Sequence, residues 1–345
     1  MKVLLGLSGG VDSTYAAMKL KNEGHTVEGA VILMHEYTSV DEARESADSL
    51  GIPLHVIDAR DDFDKIVKEN FINEYLNART PNPCVICNSE VKFIKLAEYA
   101  EKNGFDMIAT GHYADIVKFT DNYGSYYGVK RGRDAKKDQT YMLWRLPQKV
   151  LSKLLLPLSD MEKNDIRIET RVAGLAAADR ADSQEICFLP DTNYASYIES
   201  VKGVSKKGNF VDEDGNILGE HKGIVHYTVG QRRGLGISAK SRVFVTKIDP
   251  ESNTVTISPN DSVATHVSIN GVVYSGMREP KEYFERDLYV KLRYAAKPVL
   301  ARVKFLRDKA EIILSDPVRA VTPGQSAVIY DNDVIVAGGL INSAE

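Results

Sequence analysis

The chain has 345 residues, of which 43% are hydrophobic, and it carries a formal net charge of −4 at pH 7. It is long enough for two or three domains with hydrophobic cores, and no apolar run reaches the length of a membrane span. The three cysteines form no framework of pairs, which argues against a disulfide-rich secreted protein and indicates a reducing cytoplasm without membrane attachment.

The first predicted element is a strand at residues 3–7, a continuous apolar run typical of a strand buried on both faces. The segment Ser-Gly-Gly-Val-Asp-Ser-Thr follows at residues 8–14 and leads into a helical stretch. Glycines let the backbone approach an anion, and free amides at a helix start attract phosphate. Because the P-loop lysine and the Gly-x-Gly-x-x-Gly pattern are both missing, we predict another kind of nucleotide loop. The alternative is an ordinary turn capped by Asp12 or Ser13.

Strand and helix patterns alternate through the first half of the chain. The pattern predicts strands at residues 27–33, 52–57 and 107–110. It predicts helices at residues 41–50 and 62–77. This order predicts an α/β fold with a doubly wound parallel sheet, in which ligands bind beyond the carboxyl ends of the strands. The glycine loop, the residues after Ala30 and the Gly111–His112 turn should then share one rim, where adenine would lie.

Two of the three cysteines lie in the segment Thr-Pro-Asn-Pro-Cys-Val-Ile-Cys-Asn at residues 80–88, a proline-stiffened loop before a predicted amphipathic helix. Cys87 is therefore expected near a helix start, where positive potential lowers the pKa of a thiol and favours the thiolate. A thiolate can attack an electrophile, bind a metal or accept sulfur, and Cys187 supplies a third thiol further along the chain.

Local charge differs from the overall balance between residues 130 and 153, where eight side chains are basic and only two are acidic. A basic stretch of this kind could face a nucleic-acid backbone, although most charge runs are simply solvated surface.

After about residue 189 the helical periodicity largely disappears. Closely spaced alternating segments predict a compact β-barrel, at residues 288–294, 300–306, 311–314, 327–330 and 334–337. We expect a catalytic domain with a further helical part, a small central domain and the barrel, at residues 1–200, 201–268 and 269–345.

The loop at residues 8–13 resembles the signature of the pyrophosphate-loop ATPases, which cleave ATP between its α and β phosphates. The whole chain resembles the tRNA-specific 2-thiouridylases almost end to end, through the segments 80–88, 110–114, 137–141, 182–188, 227–236, 293–294, 322–328 and 338–339. The resemblance implies an adenine nucleotide alpha hydrolase-like fold. It also implies an enzyme that adenylates the C2 oxygen of a wobble uridine in tRNA and replaces that oxygen with sulfur.

The same resemblance implies ATP and Mg²⁺ as cofactors, with Asp12 near the magnesium ion. It implies two macromolecular partners: a tRNA with a wobble uridine, and a sulfur-carrier protein or cysteine desulfurase. Cys187 would receive a persulfide, and Cys87 would complete the transfer by attacking it, with a disulfide formed between the two.

Binding residues are likewise carried over from the resemblance. For ATP they are Gly6, Leu7, Ser8, Gly9, Gly10, Val11, Asp12, Ser13, Ile32 and Gly111, with Met34 in place of Ile32 if two residues are inserted. For tRNA they are Asn82, Pro83, Cys84, His112, Lys137, Asp138, Gln139, Arg293, Tyr294 and Gln325.

Cys84 departs from the usual pattern of the family, in which many members have aspartate at this position. With it, Cys84, Cys87 and Cys187 could instead ligate a four-iron four-sulfur cluster that holds the transferred sulfide. A zinc site formed by cysteines and His112 is a further alternative. The rival functions are thiolation of cytidine in tRNA and a non-catalytic, zinc-stabilised RNA-binding protein.

Overall fold

The computed structural model describes residues 1–181, 186–189, 193–237 and 242–345. The strands are β1 (Lys2–Gly6), β2 (Thr26–Leu33), β3 (Leu54–Asp58), β4 (Met107–Thr110), β5 (Asp115–Asp121), β6 (Gly124–Lys130), β7 (Leu154–Leu155), β8 (Gly208–Val211), β9 (Ile217–His221), β10 (Phe244–Asp249), β11 (Thr254–Ser258), β12 (Val263–Tyr274), β13 (Phe284–Lys291), β14 (Val299–Leu306), β15 (Lys309–Arg319), β16 (Ser326–Asp331) and β17 (Val334–Ala344).

The α-helices are α1 (Val11–Asn22), α2 (Val40–Leu50), α3 (Arg60–Asp62), α4 (Glu69–Leu76), α5 (Pro83–Ile86), α6 (Phe93–Lys102), α7 (Gln148–Leu151), α8 (Lys163–Val172) and α9 (Tyr194–Lys202). Two π-helical segments join neighbouring helices, Phe63–Lys68 between α3 and α4 and Cys87–Lys92 between α5 and α6. None of the helices in the described ranges has the length and apolar character needed to cross a bilayer.

The first sheet consists of parallel strands in the order β3-β2-β1-β4-β7. Side chains of β1 alternate between two cores, because Val3 and Leu5 pack with α1 while Leu4 packs with α6 on the other face. A parallel sheet covered on both faces is the arrangement that its continuous apolar strands require. The predicted doubly wound sheet is therefore confirmed, with the glycine loop directly after β1 at the carboxyl edge.

A small sheet in the order β10-β11-β8-β9 forms the central part of the chain. Its hydrophobic core is separate from that of the first sheet and consists of Phe210, Tyr227, Leu235, Val245, Val255 and Ile257. The central domain thus has a core of its own, as expected of a folded unit.

The carboxyl-terminal strands form the order β12-β15-β14-β13-β16-β17, and β17 pairs again with β12 to close a six-stranded barrel. Alternate apolar side chains fill its interior, among them Val267, Ile269, Val290, Val303 and Ile312. The hairpin β5–β6 extends this sheet beyond β17. The predicted barrel is confirmed, while the domain limits at residues 200 and 268 stay predictions.

The barrel packs directly against the α/β part through Trp144. The indole nitrogen of Trp144 donates to Ser326 Oγ at 3.0 Å, and its ring lies over Gly338, where a Cβ atom would come within 2.5 Å. Glycine at this position lets the two parts approach each other. The barrel is thereby held beside the loop that carries the first two cysteines.

Candidate active site

The glycine loop between β1 and α1 is shaped by its own side chains. Ser13 Oγ lies 3.1 Å from both Ser8 Oγ and the carbonyl oxygen of Gly10. Gly9 has φ +85°, and a Cβ atom there would lie 2.5 Å from the carbonyl carbon of Glu42. Glycine is therefore required at position 9, because no side chain fits between the loop and α2.

Arg180 fastens the loop from outside. Its guanidinium donates to the carbonyl oxygen of Gly9 and to Ser46 Oγ, and it pairs with Glu45 on α2. Several donors of its planar group are used at once. The neighbouring Asp182, part of the family-like segment 182–188, lies outside the described residues.

Gly111 lies against the start of α1. A Cβ atom at Gly111 would come within 2.8 Å of the carbonyl carbon of Asp12 and 2.9 Å of the backbone nitrogen of Ser13. The turn after β4 and the glycine loop after β1 thus meet at one rim, as the parallel sheet predicts. Leu7 and Val11 are buried in the core, so their part in a phosphate site would be limited to backbone groups.

Asp12 is held by two residues that the sequence did not single out as functional. Lys163 Nζ lies 2.8 and 2.7 Å from the two carboxylate oxygens of Asp12, and the hydroxyl of Tyr113 donates to one of them at 2.6 Å. Lys163 is only 6% exposed. Tyr113 belongs to the segment 110–114 that resembled the family, but no local signal pointed to Lys163, which lies 151 residues beyond Asp12.

The carboxyl end of β2 distinguishes Ile32 from Met34. Ile32 is 7% exposed and belongs to the core beneath the sheet, whereas Met34 follows the last residue of the strand and is half-buried. The thioether sulfur of Met34 lies 3.4 Å from Cys87 Sγ. One contact therefore joins the nucleotide rim predicted from the sheet to the helix that carries a cysteine.

Cys87 is buried one turn inside a continuous helical run, at the start of the π-helical segment. Burial raises the pKa of Cys87 to about 12, while the charge of Lys92 opposes the rise. The expectation of a pKa lowered by a helix start was wrong, because desolvation of the thiolate exceeds the effect of the helix. A π-helical segment places residues five apart on neighbouring positions, which brings Lys92 towards the face of Cys87.

The other two thiols are exposed at the surface and lie close enough to Cys87 for their charges to affect its pKa. Partial burial raises the pKa of Cys84 and of Cys187, and the charge of Cys84 raises the pKa of Cys187 further. Lys92 lowers the pKa of both thiols in turn. Phe188 anchors the third cysteine, because its ring packs edge-on against Phe63 and Phe71 at 5.6 and 5.4 Å.

All three cysteines are free thiols, so the proposed disulfide between Cys87 and Cys187 stays a prediction. Within the described ranges, no group of three or more His, Cys, Asp and Glu side chains is arranged to hold a metal ion. The iron–sulfur cluster and the zinc site therefore stay predictions.

His112 lies beside the cysteine helix. Its Nδ1 is 2.8 Å from Thr110 Oγ1, and its ring packs against Phe93 with centroids 5.5 Å apart. Burial, assisted by the charge of Lys92, lowers the pKa of His112 to about 3. The imidazole is therefore neutral at physiological pH and can donate or accept one hydrogen bond.

The barrel clamps the loop that carries the first two cysteines. Gln325 Nε2 donates to the carbonyl oxygens of Thr80 and Pro81 at 2.9 and 3.2 Å. Asn82 caps the short helix α5, with its Oδ1 accepting from the Val85 amide at 3.3 Å, and Pro83 is buried at the first position of α5. The amides of Gln325 and Asn82 thus have structural partners in this state.

The segment 137–139 is also tied to the protein. Gln139 Oε1 accepts from the Tyr113 amide at 3.0 Å, and Asp138 Oδ1 accepts from the hydroxyl of Thr140 at 2.6 Å. Lys137 makes contacts of its own, so this loop is ordered by local interactions. Its part in binding tRNA stays a prediction.

Arg293 and Tyr294 lie beyond the end of β13, and both are exposed. Tyr294 is 41% exposed, with Lys291 Nζ 5.5 Å from its ring centroid. Tyr294 therefore does not belong to the barrel core. An exposed arginine next to an exposed aromatic ring can pair with phosphate and stack on a base.

The doubly wound sheet and the glycine loop define a protein of the HUP-domain class. The description "tRNA methyl transferase HUP domain" matches residues 1–191, "tRNA methyl transferase PRC-barrel domain" matches residues 196–259, and "Aminomethyltransferase beta-barrel domain" matches residues 266–341. The chain belongs to the tRNA-specific 2-thiouridylase family.

Two relatives document this membership. The chain is 41% identical over 358 residues to the tRNA-specific 2-thiouridylase MnmA of Clostridium botulinum (strain Alaska E43 / Type E3), across 99% of this chain and 98% of that protein. It is 41% identical over 361 residues to the protein of the same name from Acetivibrio thermocellus, across 99% of both chains. A 4-thiouridine synthetase solved with RNA and ATP is 18% identical over 54% of this chain and 44% of that chain, with a TM-score of 0.36.

Proposed function

We propose that this chain is a tRNA-uridine 2-sulfurtransferase that uses ATP to convert the wobble uridine of tRNA to 2-thiouridine, with AMP and diphosphate as products. The observation that carries the proposal is the 3.4 Å contact between Cys87 and Met34, because it joins a thiol to the rim of the glycine loop. Adenylation and sulfur transfer act on the same carbon atom, so their groups must converge on one place.

The first step requires a site for ATP. Backbone amides of the loop at residues 8–10 and the start of α1 would hold its phosphates, and adenine would lie against Met34 rather than the buried Ile32. The C2 oxygen of uridine would attack the α-phosphorus, and diphosphate would leave. The AMP group then makes that oxygen a good leaving group.

A magnesium ion fits the chemistry of Asp12, because a carboxylate and phosphate oxygens are hard ligands. When bound, the ion would neutralise charge on the phosphates of ATP. Lys163 contacts both carboxylate oxygens of Asp12, and Tyr113 contacts one of them. These two side chains therefore also keep the carboxylate oriented towards the loop.

The second step uses a persulfide on Cys187, which is exposed and can receive sulfur from a sulfur-carrier protein or a cysteine desulfurase. Its terminal sulfur would attack C2 of the adenylated uridine and expel AMP. The Cys87 thiolate would then attack Cys187 Sγ, which forms a disulfide and releases 2-thiouridine. A thiol reductant must afterwards return both cysteines to free thiols.

The persulfide route is preferred to a cluster because the described side chains form no group of three metal ligands. The tRNA would approach across Arg293, Tyr294 and the cysteine loop. His112, Cys84 and the segment 137–139 would also contact the tRNA. Gln325 and Asn82 would act mainly by holding the cysteine loop in place. The proposed location is the cytoplasm, where tRNA and thiol reductants are present.

The test is mass spectrometry of nucleosides from tRNA incubated with the protein, ATP and a sulfide or persulfide source. We expect 2-thiouridine, and its formation should require ATP and yield AMP. A 2-thiocytidine product would redirect the proposal to the cytidine thiolases. Absence of both products with a persulfide-loaded protein would refute the enzymatic function.

A further inference from the structure

Lys163 is a buried cation beside the glycine loop. It begins α8, where its backbone nitrogen donates to Asp134 Oδ2 at 3.0 Å, and its side chain extends to Asp12. The ammonium group contacts both oxygens of one carboxylate, at 2.8 and 2.7 Å. This geometry places the ammonium group beside the second residue of α1.

Stability alone is a poor reason for such a pair. Removing the ammonium group of Lys163 from water costs free energy, and Asp12, whose side chain stays 31% exposed, repays that cost only in part. Asp12 also has little need of a lysine for neutralisation, because it lies at the amino end of a twelve-residue helix and accepts from Tyr113. The position beside a phosphate loop provides a functional reason instead.

The loop itself lacks a cation. A kinase-type P-loop ends in a lysine that reaches the phosphates, whereas this loop has Asp12, Ser13 and Thr14 at the corresponding place. The fold brings Lys163 to that place from 151 residues further along the chain. The charge missing from the motif is thus supplied by a separate element of the structure.

We propose that Lys163 is a phosphate-binding residue that exchanges partners: it neutralises Asp12 in the free protein and binds the β and γ phosphates of ATP when nucleotide enters. Asp12 then becomes available to a divalent cation. Lys163 remains bound to the diphosphate until the diphosphate dissociates. The inference rests on the proposed function in taking ATP as the nucleotide, but its test needs only inorganic diphosphate.

The experiment is calorimetric titration of the full-length protein with inorganic diphosphate and, separately, with AMP, both with and without Mg²⁺. Lys163→Met should weaken diphosphate binding by about 10- to 100-fold, the range for one hydrogen bond to a charged group. AMP lacks the two outer phosphates, so its affinity should change less than about twofold. Lys19→Met is the matched control, because Lys19 lies on α1 but pairs with Asp160 away from the loop.

A second pair of variants separates phosphate binding from damage to the fold. Asp12→Asn removes the carboxylate charge that competes with phosphate for Lys163, so diphosphate binding without Mg²⁺ should become tighter than in the native protein. Asp12→Asn combined with Lys163→Met has neither charge and should lose that gain. Equal diphosphate affinity in these two variants, or equal losses of AMP and diphosphate in Lys163→Met, would overturn the inference.

The role of Lys163 and the proposed function are tested by different measurements. If the protein binds diphosphate through Lys163 but forms no 2-thiouridine, the role of Lys163 stands and the proposed function is wrong. If the protein forms 2-thiouridine but Lys163→Met leaves diphosphate binding unchanged, the proposed function stands and the role of Lys163 is wrong.

Discussion

The thiol of Cys87 donates a weak hydrogen bond to the thioether sulfur of Met34, 3.4 Å away. Cys87 begins a π-helical segment, and Met34 follows the carboxyl end of β2, so the contact joins two elements that are far apart in the chain. It places a thiol next to the edge at which α/β sheets bind nucleotides. The chemical proposal depends on this proximity.

Substitution of Met34 and Ile32 should separate nucleotide binding from core packing. Met34→Ala should weaken binding of ATP, because adenine loses its contact at the rim. Ile32→Ala should instead lower the free energy of unfolding by about 2–5 kcal/mol through a buried cavity. Calorimetric titration with a non-hydrolysable ATP analogue and thermal unfolding measure the two effects. Weaker nucleotide binding by folded Ile32→Ala, with Met34→Ala unaffected, would reverse the assignment.

The cysteines should differ in function although they lie together. Cys187→Ser should bind ATP and tRNA as the native protein does and form no 2-thiouridine, because no persulfide can be loaded. Cys84→Ser should retain most activity if sulfur passes through Cys187 and Cys87 alone. Product formation in single turnovers, after each variant has been incubated with a persulfide donor, measures this. Equal inactivity of Cys84→Ser would show that all three thiols act as a set.

Lys92 should control the reactivity of the thiols. Its charge lowers the pKa of Cys84, Cys87 and Cys187, so Lys92→Met should raise all three and leave less thiolate at neutral pH. A rise of one pKa unit lowers the thiolate fraction about tenfold at neutral pH. The alkylation rate should therefore fall by up to about tenfold. Iodoacetamide labelling followed by peptide mass spectrometry provides the rates.

The matched control for this substitution is Lys95→Met. Lys95 lies on α6 close to Lys92 in sequence, but it pairs with Asp62 at 2.7 Å. Alkylation rates should stay native in Lys95→Met. A similar loss in both variants would attribute the effect to the helix rather than to the charge of Lys92.

Gly111→Ala should disrupt the nucleotide site by displacement of the loop. Its Cβ atom would lie 2.8 Å from the carbonyl carbon of Asp12, so α1 must shift, at a cost of about 1–3 kcal/mol. Gly219→Ala is the control, since its Cβ atom would make only ordinary contacts, 3.5 Å from Ile237. ATP affinity and unfolding midpoints should fall in the first variant only.

His112 should make the protein less stable in acid. Its folded-state pKa is lowered to about 3, below the ~6.5 of an unfolded histidine, so the unfolded chain binds the proton first. The contribution is fully present above about pH 6.5 and is lost as the pH falls towards the folded value. Urea unfolding between these limits should show a shallower pH dependence in His112→Gln. An unchanged dependence would mean that the pKa of His112 is the same in the folded and unfolded states.

The glycine loop, the parallel sheet and the barrel could be predicted because the pattern of each depends on residues close together in the sequence. The apolar run before Ser8, the paired glycines and the alternating carboxyl-terminal segments follow local periodicity and backbone preference. The prediction for Cys87 failed for the opposite reason. Its pKa depends on burial among residues distant in sequence, and that burial exceeds the effect of the helix.

The amino-acid sequence by itself determined the order of elements, the loop that turns towards phosphate and the presence of three thiols. Only the tertiary structure decided that Lys163 contacts Asp12, that Cys87 contacts Met34 and that Gln325 holds the cysteine loop. The physical reason is range: backbone preference acts between neighbours along the chain, whereas contact and desolvation depend on which distant surfaces the packed fold brings together.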